Sequence, residues 1–112
     1  MSIEAAIIEA VTPIVAVCVP TLYEGEEAEY CEINAEEVPT AHGDDVPHAI
    51  RYLVQLHYYY PKAGHNPNAK KLALRRALGA LDGTWPTITN ASDEVSGHLV
   101  FEFEMVEGGS DG

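Results

Sequence analysis

The alternation of apolar and polar positions divides the chain into seven segments. Ile3, Ala6, Ile7 and Ala10 recur at i, i+3, i+4 and i+7, so residues 3–11 are predicted to form a helix with one apolar face. Ser2 stands at its cap position. Pro13 closes it, because the residue before a proline is steered out of the helical region. Ile14-Val15-Ala16-Val17-Cys18-Val19 is continuous and largely β-branched, which predicts a buried strand ending at Pro20. After an acidic turn at Tyr23-Glu24-Gly25-Glu26-Glu27, residues 28–34 alternate. Cys31 and Ile33 fall on one face, Tyr30 and Glu32 on the other. Two strands joined this way predict an antiparallel pair. Residues 35–47 form a polar loop, long for a connection inside a compact domain, and loops of that length are commonly functional or mobile.

Residues 48–60 give the longest strand pattern. Tyr52, Val54, Leu56, Tyr58 and Tyr60 share one face; Leu53, Gln55, His57 and Tyr59 share the other, a mixed set that predicts partial burial. Pro61 ends it. Asn66-Pro67 starts a second helix, with Asn as cap and Pro at the first helical position. Ala73, Leu74, Ala77, Leu78 and Leu81 make its apolar arc, and Asp82-Gly83 stops it. Residues 84–89 are strand-like, with Pro86 pointing to an edge. Residues 98–106 alternate, Leu99, Phe101, Phe103 and Met105 inward, Glu102 and Glu104 outward. Residues 107–112 are an acidic, glycine-rich tail with nothing to bury, expected to be flexible. The order α-β-β-β-α-β-β predicts an α+β fold: a mainly antiparallel sheet with two helices packed on one face. Residues 1–106 form a single domain.

Charge adds a pattern of its own. The 112 residues carry 18 acidic and 6 basic side chains, a formal −12. The hydrophobic fraction of 46% is that of a globular chain, so the acidity does not imply disorder. It does argue against direct nucleic-acid binding, which needs cations to displace counterions from phosphates. No apolar run reaches the roughly 18 residues of a membrane span, and no basic-then-apolar start resembles a signal peptide. Cys18 and Cys31 have no zinc or redox spacing, and a reduced cytosolic chain is expected. The charges segregate into −11 over residues 1–50, +6 over 51–81 and −7 over 82–112. Either a basic face meets an acidic face on a neighbouring subunit or partner, or the basic segment packs within its own acidic fold or is a solvated helix face.

Catalytic patterns are sparse. His42, Asp44, Asp45 and His48 are a candidate metal cluster on the long loop, against the plainer account of a solvated polar loop. Cys18 beside a histidine would make a nucleophile pair, but its place in an apolar run predicts a buried, inert thiol. Glu26, Glu27, Glu29 and Glu32 read as a solvated acidic hairpin rather than paired acid/base carboxylates. No phosphate-binding glycine loop occurs, so no cofactor is expected. Tyr58, Tyr59 and Tyr60, with Asp44 and Asp45, are candidates for partner contact, since tyrosine suits a surface apolar on one side and wet on the other. The other account is that the tyrosines line the edge of the domain's own core. Trp85 is expected to pack on the second helix or to anchor a contact.

Over residues 12–106 the order of segments resembles the tail terminator proteins of long-tailed bacteriophages and prophages, also called tail completion or minor tail proteins. The pieces are Thr12-Pro13-Ile14, Leu22-Tyr23-Glu24-Gly25, Asn34, the strand Arg51-Tyr52-Leu53-Val54-Gln55-Leu56-His57, and the helix Leu72 to Leu78. Thr84-Trp85-Pro86 follows, then Ala91-Ser92-Asp93-Glu94 leading into Leu99-Val100-Phe101-Glu102-Phe103-Glu104. The resemblance implies a structural protein, not an enzyme, assembled in the bacterial host cytoplasm and residing in the virion tail. Proteins of this kind form rings, typically hexamers, that cap the tail tube, end its polymerisation and meet the head connector. The implied partners are further copies of the chain, the major tail tube protein and head–tail connector proteins, with no membrane. On this view Lys70, Lys71, Arg75 and Arg76 are candidates for the positive side of a subunit interface. Glu24, Glu26, Glu27 and Glu29 are candidates for the negative side. The alternatives are another head–tail joining or neck protein, an acidic DNA-mimic inhibitor of a host protein, and a small enzyme built on His42 and His48.

Overall fold

The computed structural model describes residues 3–38, 49–64, 66–81 and 83–108. Most of the polar loop, with His42, Asp44, Asp45 and His48, lies outside the described residues, as do Ser2, His65, Asp82 and residues 109–112. The elements are α1 (Ile3–Val11), β1 (Cys18–Pro20), β2 (Tyr30–Glu37), β3 (Ala49–Pro61), α2 (Asn68–Gly79), β4 (Thr87–Asn90) and β5 (Ser96–Gly108). They form one five-stranded sheet in the order β1-β2-β3-β5-β4, with every pairing antiparallel except β1–β2. The chain is therefore the α+β fold that its apolar pattern predicts.

The period-2 pattern decides which face the helices cover. Register places Cys31 beside Tyr58 and Leu99, Ile33 beside Leu56 and Phe101, and Ala35 beside Val54 and Phe103. This face joins Ile3, Ile7 and Val11 of α1 and Leu74 and Leu78 of α2 in one core. Phe101 sits at its centre with no exposure, so Phe101→Ala should cost about 3–5 kcal/mol. No helix among the described residues is long and apolar enough to cross a membrane.

The first strand departs from expectation. Residues 12–16 continue the turn after α1, with the amides of Ile14 and Val15 both donating to the Val11 carbonyl (2.8 and 2.9 Å). Val15 is buried there without being in a strand, so the apolar run fills the core partly as a turn. Only Cys18–Pro20 pairs, and it runs parallel to β2, not antiparallel. The reason is the connection. Thr21 takes a left-handed backbone (φ 70) and its amide donates to the Ile33 carbonyl (2.9 Å), which swings the chain out of the sheet. The following acidic segment carries the chain back to the starting end. Tyr23 organises it: its amide donates to Glu32 Oε2 (2.8 Å) and its hydroxyl accepts from the Glu27 amide (3.0 Å). A Cβ at Gly25 would overlap that tyrosine ring, so the ring can lie this close only over glycine.

Smaller differences follow from pairing. β2 continues three residues beyond Asn34, and β5 begins at Ser96 and reaches Gly108, because each has β3 to bond along. α2 begins at Asn68, with Asn66 Oδ1 accepting from the Asn68 amide (3.0 Å) and Pro67 at the cap position. At the edges, β1 has three residues and β4 four. Beyond β4, Thr84 covers the outer side of β5: its amide donates to the Glu104 carbonyl and its hydroxyl accepts from the Glu104 amide, both at 2.9 Å.

Candidate functional site

Among the described residues no element covers the sheet face opposite the helices, and alternation fixes what it displays. Across β2, β3 and β5 the rows are Tyr30–Tyr59–His98, Glu32–His57–Val100, Asn34–Gln55–Glu102 and Glu36–Leu53–Glu104. Among the described residues four carboxylates thus face one guanidinium, that of Arg51, which approaches Glu104 at 3.8 Å. Both side chains of that pair are about half exposed, so the pair contributes little.

The upper rows form an aromatic ladder. Ring centroids are 4.6 Å apart for Tyr23–Tyr30, 4.9 Å for Tyr30–Tyr59 and 4.2 Å for Tyr59–His98. Beside it the two histidines meet, with His57 Nδ1 and His98 Nε2 at 2.8 Å. Their protons follow from the neighbours. Gln55 Nε2 donates to Glu102 Oε2 (3.2 Å), which turns Gln55 Oε1 toward His57 Nε2 (3.3 Å). His57 therefore carries its proton on Nε2 and accepts at Nδ1 from His98 Nε2–H. Desolvation lowers both pKa values, and for His98 the charge of His57 adds to it. Glu32 opposes this for both, and Asp93 for His98. Charging both rings would set two N–H groups against each other.

An open cleft of about 350 Å³ adjoins the pair, lined by Thr21, Leu22, Glu32, Ile33, Asn34, His57 and Tyr59. Leu22 and Tyr59 give it apolar surface, and Thr21, Glu32, Asn34 and His57 give it polar groups. Leu22 is two-thirds exposed (67%). The chemistry available here is recognition: stacking, hydrogen bonding and attraction of positive charge.

The opposite side of the molecule is different. Leu74 and Leu78 point α2 into the core, so Leu72, Arg75, Arg76 and Gly79, at i, i+3, i+4 and i+7, run along its outer side. Trp85 lies over Gly79, where a Cβ would overlap the indole, and Arg75 stacks on the ring with Cζ 5.4 Å from its centroid. The buried Arg75 Nε has no hydrogen-bond partner. Leu72 and Trp85 are each more than half exposed (53% and 54%).

The candidates from sequence divide accordingly. Lys70 and Glu29 are not free for another subunit, because Lys70 Nζ reaches both Glu29 oxygens at 2.8 Å within the same chain. Arg75 and Arg76 lie on the outer stripe, with Lys71 beside them. Glu24, Glu26 and Glu27 are exposed on the connection between β1 and β2. Tyr58 and Tyr60 are corrected as contact residues: they are buried on the helix-covered face, where Tyr58 OH donates to Glu29 Oε2 (2.6 Å). Tyr59 is on the uncovered face. Asp44 and Asp45 lie outside the described residues, as does the His42–His48 metal candidate. Among the described residues no three metal-ligating side chains come together. Cys18 is buried and its pKa is pushed up to about 11 by desolvation; Cys31 is pushed up further by the same cause, so neither is a ready nucleophile.

Sequence reasoning missed the His57–His98 pair, which are 41 residues apart and meet only through the β3–β5 register. It also missed Leu72 and Trp85 as parts of one surface. The i, i+3, i+4, i+7 spacing ending at Gly79 was the available signal. A comparison with protein-family models finds no match, and no curated protein matches the sequence.

Proposed function

We propose that the chain is a structural subunit of a phage tail terminator, acting as a ring that caps the tail tube and joins it to the head connector. The observation that supports this is the presence of two unlike surfaces on one small subunit. One is an acidic, aromatic sheet face; the other is a basic, apolar helix stripe on the far side of the helix layer. A head-to-tail contact joins two unlike surfaces, and such contacts close into a ring when the rotation between copies closes. The partners on this reading are further copies of the chain, the major tail tube protein and head–tail connector proteins, in the virion. No catalytic step is assigned.

The test is mass in solution across protein concentration and salt, followed by addition to a polymerising phage tail tube protein. A ring species and tubes of arrested length are expected. A monomer at every concentration that leaves tube length unchanged would reject the reading. Alignment of Glu32, Glu36, Glu102 and Glu104 on one face also suits a DNA-mimic inhibitor, for which competition with DNA for a host protein is the distinguishing result.

A further inference from the structure

We infer that the sheet face away from the helices is the seat for the outer α2 stripe of a second copy of this chain, with the Trp85 indole entering the cleft beside Leu22 and Tyr59 and Leu72 lying along its rim. This rests on the ring reading above and names the surfaces that would make the ring. Two observations carry it.

The first is charge. Among the described residues the sheet face sets Glu32, Glu36, Glu102 and Glu104 against the one cation Arg51. The helix stripe carries Arg75 and Arg76, with Lys71 beside them, and α2 contains no acidic residue. Among the described residues none of these three cations has an ion-pair partner in its own chain, whereas Lys70, nearer the core, has Glu29.

The second is the composition of the apolar parts. Trp85, held flat on Gly79 and under Arg75, is a preset aromatic anchor of the kind that dominates association energies. The cleft of about 350 Å³ has room for one such ring and presents Leu22 and Tyr59 to it. Tyr59 is itself fixed by stacking on Tyr30 and His98, so little side-chain freedom is lost on contact. A helix stripe meeting a sheet face is heterologous: each subunit offers one of each.

The experiment uses the full chain with Arg76→Glu and Glu102→Lys, read by sedimentation across concentration. Each variant alone should raise the dissociation constant about tenfold or more, as expected for close opposite charges across an interface. An equimolar mixture of the two should recover assembly, because every junction then pairs a reversed face with a reversed face or a native with a native. Independently of any variant, wild-type association should weaken between about 50 mM and about 500 mM salt. Wild type that assembles while both variants assemble equally, a mixture that stays dissociated, or salt-indifferent assembly would overturn the seat and leave the ring reading standing. A wild type that never self-associates would remove both.

Discussion

Replacing Tyr58 by phenylalanine tests a polar link between the buried sheet face and α2, through Glu29 and Lys70. Tyr58 has no exposure, and its hydroxyl donates to Glu29 Oε2 at 2.6 Å. Lys70 Nζ holds the same carboxylate at 2.8 Å to both oxygens. Desolvation and the Glu29 hydrogen bond raise the Tyr58 pKa, so the phenol stays protonated and always donates. A hydrogen bond to a charged group is worth about 1.5–3 kcal/mol. The upper end does not apply, because the Glu29 side chain keeps 26% exposure and keeps Lys70. Tyr58→Phe should therefore cost about 1–2 kcal/mol, a fall in Tm of roughly 4–8 °C for a domain of this size. Lys70→Met, which removes a partly exposed pair, should cost under about 1 kcal/mol. The two changes must couple, since they share one carboxylate: Lys70→Met should cost more when Tyr58 is already phenylalanine. Urea unfolding of the four proteins, at concentrations low enough to be monomeric, measures the cycle. Additive costs, or a Tyr58→Phe protein as stable as wild type, would refute the shared-carboxylate account. If Lys70→Met changed association and not stability, Lys70 would serve another subunit and its pairing with Glu29 would be incidental.

Gly97→Ala should destabilise by about 1–3 kcal/mol, because the new Cβ would overlap the buried Tyr60 ring directly across the β3–β5 pair; an unchanged denaturation midpoint would show that the ring can move. His57 and His98 have folded pKa values below the ordinary 6.5, so the folded state binds fewer protons than the unfolded one. Their contribution is complete above about pH 6.5 and is lost as pH falls through the depressed values. Compared with a His98→Gln variant, which cancels the general effect of titrating carboxylates, wild type should lose relative stability from pH 7.5 to pH 5; a constant difference would contradict the pairing. Cys18 and Cys31 should resist a thiol reagent at pH 7.5 in the native protein and both react in urea, and fast native labelling would count against their burial.

How far the sequence reaches can be judged from particular segments. α1 is found at the residues its spacing predicts, and the two faces of β3 are the two that its alternation predicts. Both are local periodicities with a steric cause, and neighbours do not alter them. The run from Ile14 to Val19 shows the limit: hydrophobicity reports burial, which Val15 achieves in a turn as well as in a strand. Parallel pairing of β1 with β2 depends on the left-handed Thr21, a residue with no intrinsic preference for that conformation. The candidate surface was half legible. Arg75 and Arg76 stand out as a charge cluster, and their outward direction follows from Leu74 and Leu78. That Lys70 turns inward to Glu29, and that Tyr58 and Tyr60 face the core, depends on register and on which sheet face the helices choose.

The short edges of the sheet have a bearing on how such a chain behaves when abundant. A strand edge with free amides and carbonyls recruits further strands, and long flat edges seed aggregates. Here one edge is three residues ending in Pro20, beyond which β2 carries the exposed charges of Glu36 and Glu37. The other is four residues, and past it Thr84 occupies both backbone groups of Glu104. Among the described residues both edges therefore offer little backbone for growth by adding strands. Such edges disfavour strand-by-strand aggregation, and in the proposed ring the contacts between copies would fall to side chains rather than to backbone pairing.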